Sequence, residues 1–117
     1  MDYLLGIDGG TSNVKAVLYD TDGNVSRQAS FDYEMEQPKP KYAEQDPDIW
    51  WEGVLHCLKS LDLKGIDVRA IGVTGQMHSL VMLDKDDKVL RKSILWCDQR
   101  TEAEVEDLKR LVGSDTI

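Results

Sequence analysis

Phenylalanine occurs once, cysteine twice and proline three times in this chain of 117 residues, and 14 basic side chains face 22 acidic ones. Each scarcity excludes something. A net charge of −8 disfavours nucleic acid and anionic membrane surfaces as partners, because both carry the same sign of charge. Nucleotide binding stays open, since it uses local amides and a metal ion rather than overall charge. No apolar run is long enough to span a bilayer, and the N-terminus lacks the basic-then-apolar layout of a secretory signal. Cys57 and Cys97 stand forty positions apart, with no Cys-x-x-Cys pair and no histidine at ligand spacing. Two reduced thiols in a cytosolic protein are therefore expected, not a disulfide or a metal site. Internal repeats and low-complexity stretches are also missing. What remains, 41% hydrophobic and 31% charged residues, suits one small domain or a piece of a larger one and argues against disorder.

The most informative stretch is Asp8-Gly9-Gly10-Thr11-Ser12. An apolar run, Tyr3-Leu4-Leu5-Gly6-Ile7, precedes it and a second strand-like run, Val14 to Tyr19, follows. A carboxylate ending one strand and a small-residue turn into the next make a hairpin suited to phosphate. Such a turn aims backbone N–H groups and hydroxyls at an anion, and the carboxylate stands where hydrated Mg²⁺ needs an oxygen partner. A P-loop or Rossmann turn does not fit, since both require a helix after the glycines. A tight hairpin turn with an Asx cap is the competing reading of these residues alone.

Turn chemistry at Asp20-Thr21-Asp22-Gly23-Asn24 leads to an alternating run in which Val25, Ala29, Phe31 and Tyr33 share a face and Arg27 is the exception. The pattern predicts a three-stranded antiparallel meander. The Asp-x-Asp-x-Asn spacing is not a calcium loop, because Val25 stands where glycine is required and Phe31 where the bidentate glutamate belongs. Pro38 and Pro40 mark a loop running to Asp46, and Asp46-Pro47 starts a helix with a capping carboxylate and a preset proline. Trp51, Val54, Leu55, Leu58 and Leu61 recur at helical spacing, predicting an apolar stripe on the sheet with Trp50 beside it. His56 is expected on the solvent side. Val68 to Val73 reads as a buried strand, parallel to the first because a helical crossover intervenes. A second hairpin follows, from Ser79 to Leu83 and from Lys88 to Leu90, turning at Asp84 to Asp87. A last helix is expected, with Thr101 as its cap, carrying Ala103, Val105, Leu108, Leu111 and Val112 and stopping at Gly113.

Two polar clusters follow strands, where open α/β sheets place ligands. Gln76-Met77-His78 combines an amide, an adaptable apolar wall and a tunable imidazole, a mixture suited to a polyhydroxylated molecule; a purely structural histidine is the rival reading. Trp96, Asp98 and Arg100 add an aromatic plane and a charge pair that could hold sugar C–H faces and hydroxyls, or simply form a salt bridge beneath a core tryptophan.

In order and spacing these stretches carry a family resemblance. Asp8-Gly9-Gly10-Thr11-Ser12-Asn13-Val14-Lys15 resembles the first phosphate motif of the FGGY carbohydrate kinases, in the actin-like ATPase superfamily. Glu44-Gln45-Asp46-Pro47 with Trp50-Trp51, then Gly72 to His78, then Ile94 to Thr101 match in turn, and Gly-Gln-Met-His looks most like xylulokinases. Gly9, Ser79 and Cys97 depart from the pattern, Ser79 in the direction of gluconokinase-like relatives.

The resemblance implies an α/β, ribonuclease-H-like (actin-like ATPase) fold, partial in residues 1–117: meander, helix, parallel strand, extra hairpin and C-terminal helix. Members of the family have two such domains with ATP and sugar between them. The chain is thus expected to be an N-terminal fragment, lacking the second domain, the adenosine motifs and the general base. For the parent it implies ATP and Mg²⁺, with transfer to a ketopentose, D-xylulose before gluconate or another polyol. Asp8 would act at the metal through water and Gly10, Thr11, Ser12 and Lys15 at phosphate; Met77, His78, Trp96, Asp98 and Arg100 would serve the sugar. A homodimeric parent in the cytoplasm and a self-associating fragment complete the expectation. The rival classes are a non-catalytic sugar-sensing module, against which Asp8 together with Lys15 speaks, and a chaperone-like or filament-forming ATPase, which needs no sugar pocket.

Overall fold

Residues 1–116 are described by the computed structural model of the chain. The meander forms as the alternation predicts. β1 (Asp2–Gly9), β2 (Asn13–Asp20) and β3 (Val25–Asp32) pair antiparallel, with Leu5 opposite Leu18, Ile7 opposite Ala16 and Val14 opposite Phe31. The short β4 (Glu44–Gln45) precedes helix α1 (Pro47–Leu61), and β5 (Asp67–Gly75) returns parallel to β1. The sheet order is therefore β3-β2-β1-β5, the arrangement expected of a ribonuclease-H-like unit. β6 (Ser93–Ile94) and α2 (Glu102–Val112) complete the elements used below.

Helix α1 begins where the Asp46-Pro47 pair requires. Asp46 has extended backbone angles, its side chain accepts the Asp48 N–H, and the helix ends at Asp62 in the left-handed region. Arg27, the exception in the alternation of β3, explains itself here. It lies opposite Leu18 on the helix-facing side and its guanidinium donates to the carbonyls of Leu61 and Asp62, neutralising orphan acceptors at the helix C-terminus. The core lies between α1 and one sheet face, where Leu5, Val14, Ala16, Cys57 and Leu61 are buried. Burial also pushes the Cys57 thiol pKa up.

Five expectations need correction. The buried stripe of α1 runs through Pro47, Gly53, Cys57 and Leu61, while Trp51 is 61% exposed and Leu55 lies at the surface. Val54, Leu58 and Leu61 pack against the core as the spacing predicts, but the stripe is centred on the small residues Gly53 and Cys57, which allow the closest approach to the sheet. β5 is not buried: it is an edge strand, with Ile71 and Val73 exposed on the face beside the core. The expected second hairpin contracts to a single bridge between Leu83 and Val89, closed by Asp84 and Lys88. The loop before Asp46 contains β4, which pairs antiparallel with β6. α2 stops at Gly113 as expected, but the Thr101 hydroxyl makes no capping bond and no residue of the helix is buried.

Candidate functional site

The turn between β1 and β2 and the end of β5 come together at one edge of the sheet. The β1–β5 register places Asp8 beside Thr74 and Gly9 beside Gly75, and the Gln76 N–H donates to the Gly9 carbonyl at 2.9 Å. This approach favours glycine: a Cβ on Gly75 would stand 3.1 Å from the Gly9 carbonyl oxygen, so the strand would have to give by a few tenths of an ångström. The result is an open cavity of about 390 Å³, lined by Asp8, Gly10, Thr11, Gln76, His78 and Trp96, with Met77 also on its wall.

Thr11 is the junction of this cavity. Its hydroxyl accepts the Trp96 indole N–H at 3.0 Å and donates to Gln76 Oε1 at 3.2 Å. Its carbonyl accepts Gln45 Nε2 at 2.6 Å. Gln45, 1% exposed, in turn accepts the Trp50 indole N–H at 2.8 Å and Gln76 Nε2 at 3.3 Å through Oε1. A buried amide on one element thereby ties the turn, the end of β5 and the first turn of α1 together. From the far side, Tyr33 donates its phenol to the Gly10 carbonyl and its N–H to the Ser12 carbonyl. Burial first, and then the charge of Asp8, push the Tyr33 pKa up, so the phenol remains a donor.

Not every expected phosphate donor is open. The Gly10 N–H is spent inside the turn, on the Asn13 carbonyl at 2.8 Å. The N–H groups of Thr11 and Ser12 and the Ser12 hydroxyl have no protein partner among the described residues. Asp8 and Lys15 stand opposite each other in register, on the sheet face away from α1, and form no ion pair with one another. Both line a second cavity of about 400 Å³ on that face, floored by the paired Gly6 and Gly72.

The expected sugar residues divide into two groups. Met77, His78 and Trp96 are exposed to the first cavity. His78 has φ of 61°, a left-handed conformation that costs an ordinary side chain and needs outside support. Ser79 supports the opposite wall, its hydroxyl accepting the Trp96 backbone N–H at 3.0 Å. Asp98 and Arg100 lie outside this cavity and are spent on each other. The Asp98 carboxylate accepts from Arg100 Nε and Nη2 at 2.8–3.0 Å and from the Ala43 N–H at 2.7 Å. These bonds, with the Arg100 guanidinium first, hold the Asp98 pKa far below the usual carboxylate range. Arg100 also stacks 3.8 Å from the Tyr42 ring centre and lies 3.4 Å from Glu44. The salt bridge fastens the β4–β6 platform that presents Trp96.

No group of three or more metal-ligating side chains occurs among the described residues. None of their helices is long and apolar enough to cross a membrane. Sequence reasoning missed Gln45 and Tyr33, whose bonds to the turn cross 34 and 23 positions. Only the Glu44-Gln45-Asp46-Pro47 match drew attention to Gln45.

Comparison with known proteins agrees with this geometry. The xylulose kinase of Staphylococcus xylosus is 40% identical over 119 aligned positions, covering all of this chain and 25% of that protein. The solved structure of a ligand-bound xylulose kinase from Lactobacillus acidophilus superposes with a TM-score of 0.89 at 35% identity, covering 99% of this chain and 24% of the other. A gluconate kinase structure from the same organism gives 0.88 at 35% identity, over 98% and 24% of the two chains. The chain thus spans about a quarter of the length of the relatives it matches. Residues 3–117 match the N-terminal domain of the FGGY family of carbohydrate kinases, and the chain belongs to that family.

Proposed function

We propose that this chain is the phosphate- and sugar-facing N-terminal part of an ATP-dependent sugar kinase. In this reading the whole polypeptide works in the cytoplasm and passes the γ-phosphate to a ketopentose hydroxyl, D-xylulose before others. One observation carries the reading: Asp8 and Thr11, whose amide is open, share a single cavity with Met77, His78 and Trp96, and the open amide of Ser12 follows next in the same turn. A phosphate donor and a polyhydroxylated acceptor would meet there at hydrogen-bonding distance, which is the main requirement of phosphoryl transfer.

Thr11 and Ser12 hold phosphate oxygens through N–H groups, and the Ser12 hydroxyl adds a donor. Asp8 is exposed at the same edge, its carboxylate with no committed partner among the described residues. A lone carboxylate fits Mg²⁺ that keeps its phosphate and water ligands, not an all-protein cage. The ion would neutralise charge on the phosphates. Lys15, across from Asp8, offsets phosphate charge from the side. Met77, His78 and Trp96 orient the sugar, and Asp98 with Arg100 keeps the segment bearing Trp96 in place. A second domain, as in relatives four times this length, would close the cleft and exclude water.

Gluconate is the second reading, favoured by Ser79, whose hydroxyl is built into the wall through Trp96. The test is a coupled ADP-release screen of the full-length gene product over xylulose, ribulose, gluconate and glycerol. Preference for xylulose supports the first reading and preference for gluconate the second. No ADP release with any of them overturns both and leaves the sensing module.

A further inference from the structure

A planar trans peptide turns its C=O and the following N–H to opposite sides. A carbonyl pulled inward therefore aims the next residue's N–H outward. Three successive carbonyls of the turn are pulled inward: Gly10 by the Tyr33 phenol, Thr11 by the Gln45 amide and Ser12 by the Tyr33 N–H. The N–H groups so released include those of Thr11 and Ser12, the two without a protein partner among the described residues. Successive outward amides make an anion-binding concavity. Both residues that shape it are buried, Gln45 at 1% and Tyr33 at 9% exposure, and neither lines the cavity.

We propose that Tyr33 and Gln45 are positioning residues that hold residues 10–12 as a phosphate nest, so that nucleotide affinity depends on two side chains that never touch the nucleotide. The inference rests on the kinase reading above and adds residues to its phosphate side. Gln45 is itself fixed in orientation. Two donors, Trp50 Nε1 and Gln76 Nε2, converge on one end of its amide, which makes that end the oxygen and turns the NH₂ toward Thr11. Rotating the amide would face donor against donor and release the Thr11 carbonyl. Tyr33 is fixed by its backbone N–H as well as its phenol, so both ends of the turn are gripped by one residue.

A purely structural role makes a different prediction from a positioning role. Loss of general stability would lower Tm without singling out one substrate, whereas loss of the nest weakens nucleotide binding selectively. The experiment measures kcat, the KM for ATP and the KM for the sugar in the full-length protein for Tyr33→Phe and Gln45→Met. Leu61→Ala, in the core away from the turn, is the control for lost stability. The KM for ATP is expected to rise about tenfold in each variant, the equivalent of one well-aligned hydrogen bond. The sugar KM should stay within about twofold in Tyr33→Phe, and Leu61→Ala should move neither KM. Tyr33→Phe removes a single oxygen, so it carries the test if Gln45→Met does not fold. An unchanged ATP KM in Tyr33→Phe, or equal rises in both KM values, overturns the proposal. If the wild type phosphorylates no sugar, the kinase reading fails separately. Calorimetric titration of Mg·ADP into wild type and Tyr33→Phe then decides the nest: about tenfold weaker binding supports it, while equal affinities or no binding to either overturn it.

Discussion

Gly53→Ala sets two effects of opposite sign against each other. Alanine is favoured over glycine within a helix by about 1 kcal/mol. The added Cβ, however, would stand 2.6 Å from Val14 Cγ1 and 2.9 Å from Phe31 Cδ1. Val14 is fully buried on β2, between β1 and β3, and β-branched, so its χ1 has little freedom to move aside. Phe31 is confined as well, its ring centre lying 5.1 Å from that of His56. Helix α1 must therefore lift from the sheet, and overpacking of this kind costs about 1–3 kcal/mol. With a contact this short the upper half of that range applies, which leaves a net loss of about 1–2 kcal/mol after the propensity gain. Urea unfolding of the dilute 117-residue chain, followed by tryptophan fluorescence, reads this directly. At an m-value near the low end of the usual range, about 1 kcal/mol per M, the midpoint should fall by about 1–2 M. A midpoint that is unchanged or higher would show that propensity wins and that the helix–sheet contact is softer than its geometry implies.

The division of roles at the site predicts two kinetic signatures in the full-length protein. Asp8→Asn should lower kcat by about a hundredfold or more with little change in sugar KM, since it removes charge at the transferring phosphoryl. His78→Ala should act chiefly on sugar KM, and matching signatures from steady-state kinetics would refute the division. Asp98 predicts a pH dependence. Its folded pKa lies below its unfolded value, so its contribution to stability is present above about pH 4 and lost as pH falls toward the folded value. Thermal unfolding from about pH 5 down to 3 should accordingly be less pH-sensitive in Asp98→Asn than in wild type, and parallel slopes would refute the assignment.

Much of the fold was legible because its signals are local. Alternation in residues 3–33, the Asp46-Pro47 cap and the glycine after α2 each encode their element within a few neighbours. Errors arose where neighbours do not decide. Trp51 and Leu55 look like core residues, but the approach of α1 is set by what is small, Gly53 and Cys57, not by what is apolar. Strands of two residues such as β4 have no period to detect. Ile71 and Val73 carry the composition of a buried strand, yet nothing in their own segment states whether another element covers them. At the site, the residues facing the cavity stand in contiguous motifs and could be found by chemistry. The supports could not: Gln45, Tyr33 and the Asp98–Ala43 bond act through hydrogen bonds spanning 23 to 55 positions, a kind of pairing that leaves no spacing rule.

The left-handed backbone of His78 sets stability against use. Glycine would adopt φ of 61° freely, whereas a side chain there costs about 1–2 kcal/mol. Any search for a sturdier protein, by selection on folding or by design, would meet a downhill step at this position. Taking that step removes the imidazole from the cavity. Stabilising this chain and preserving its site are thus opposed at one residue, and a variant library scored only on thermal resistance would enrich for molecules that have lost the wall facing Trp96.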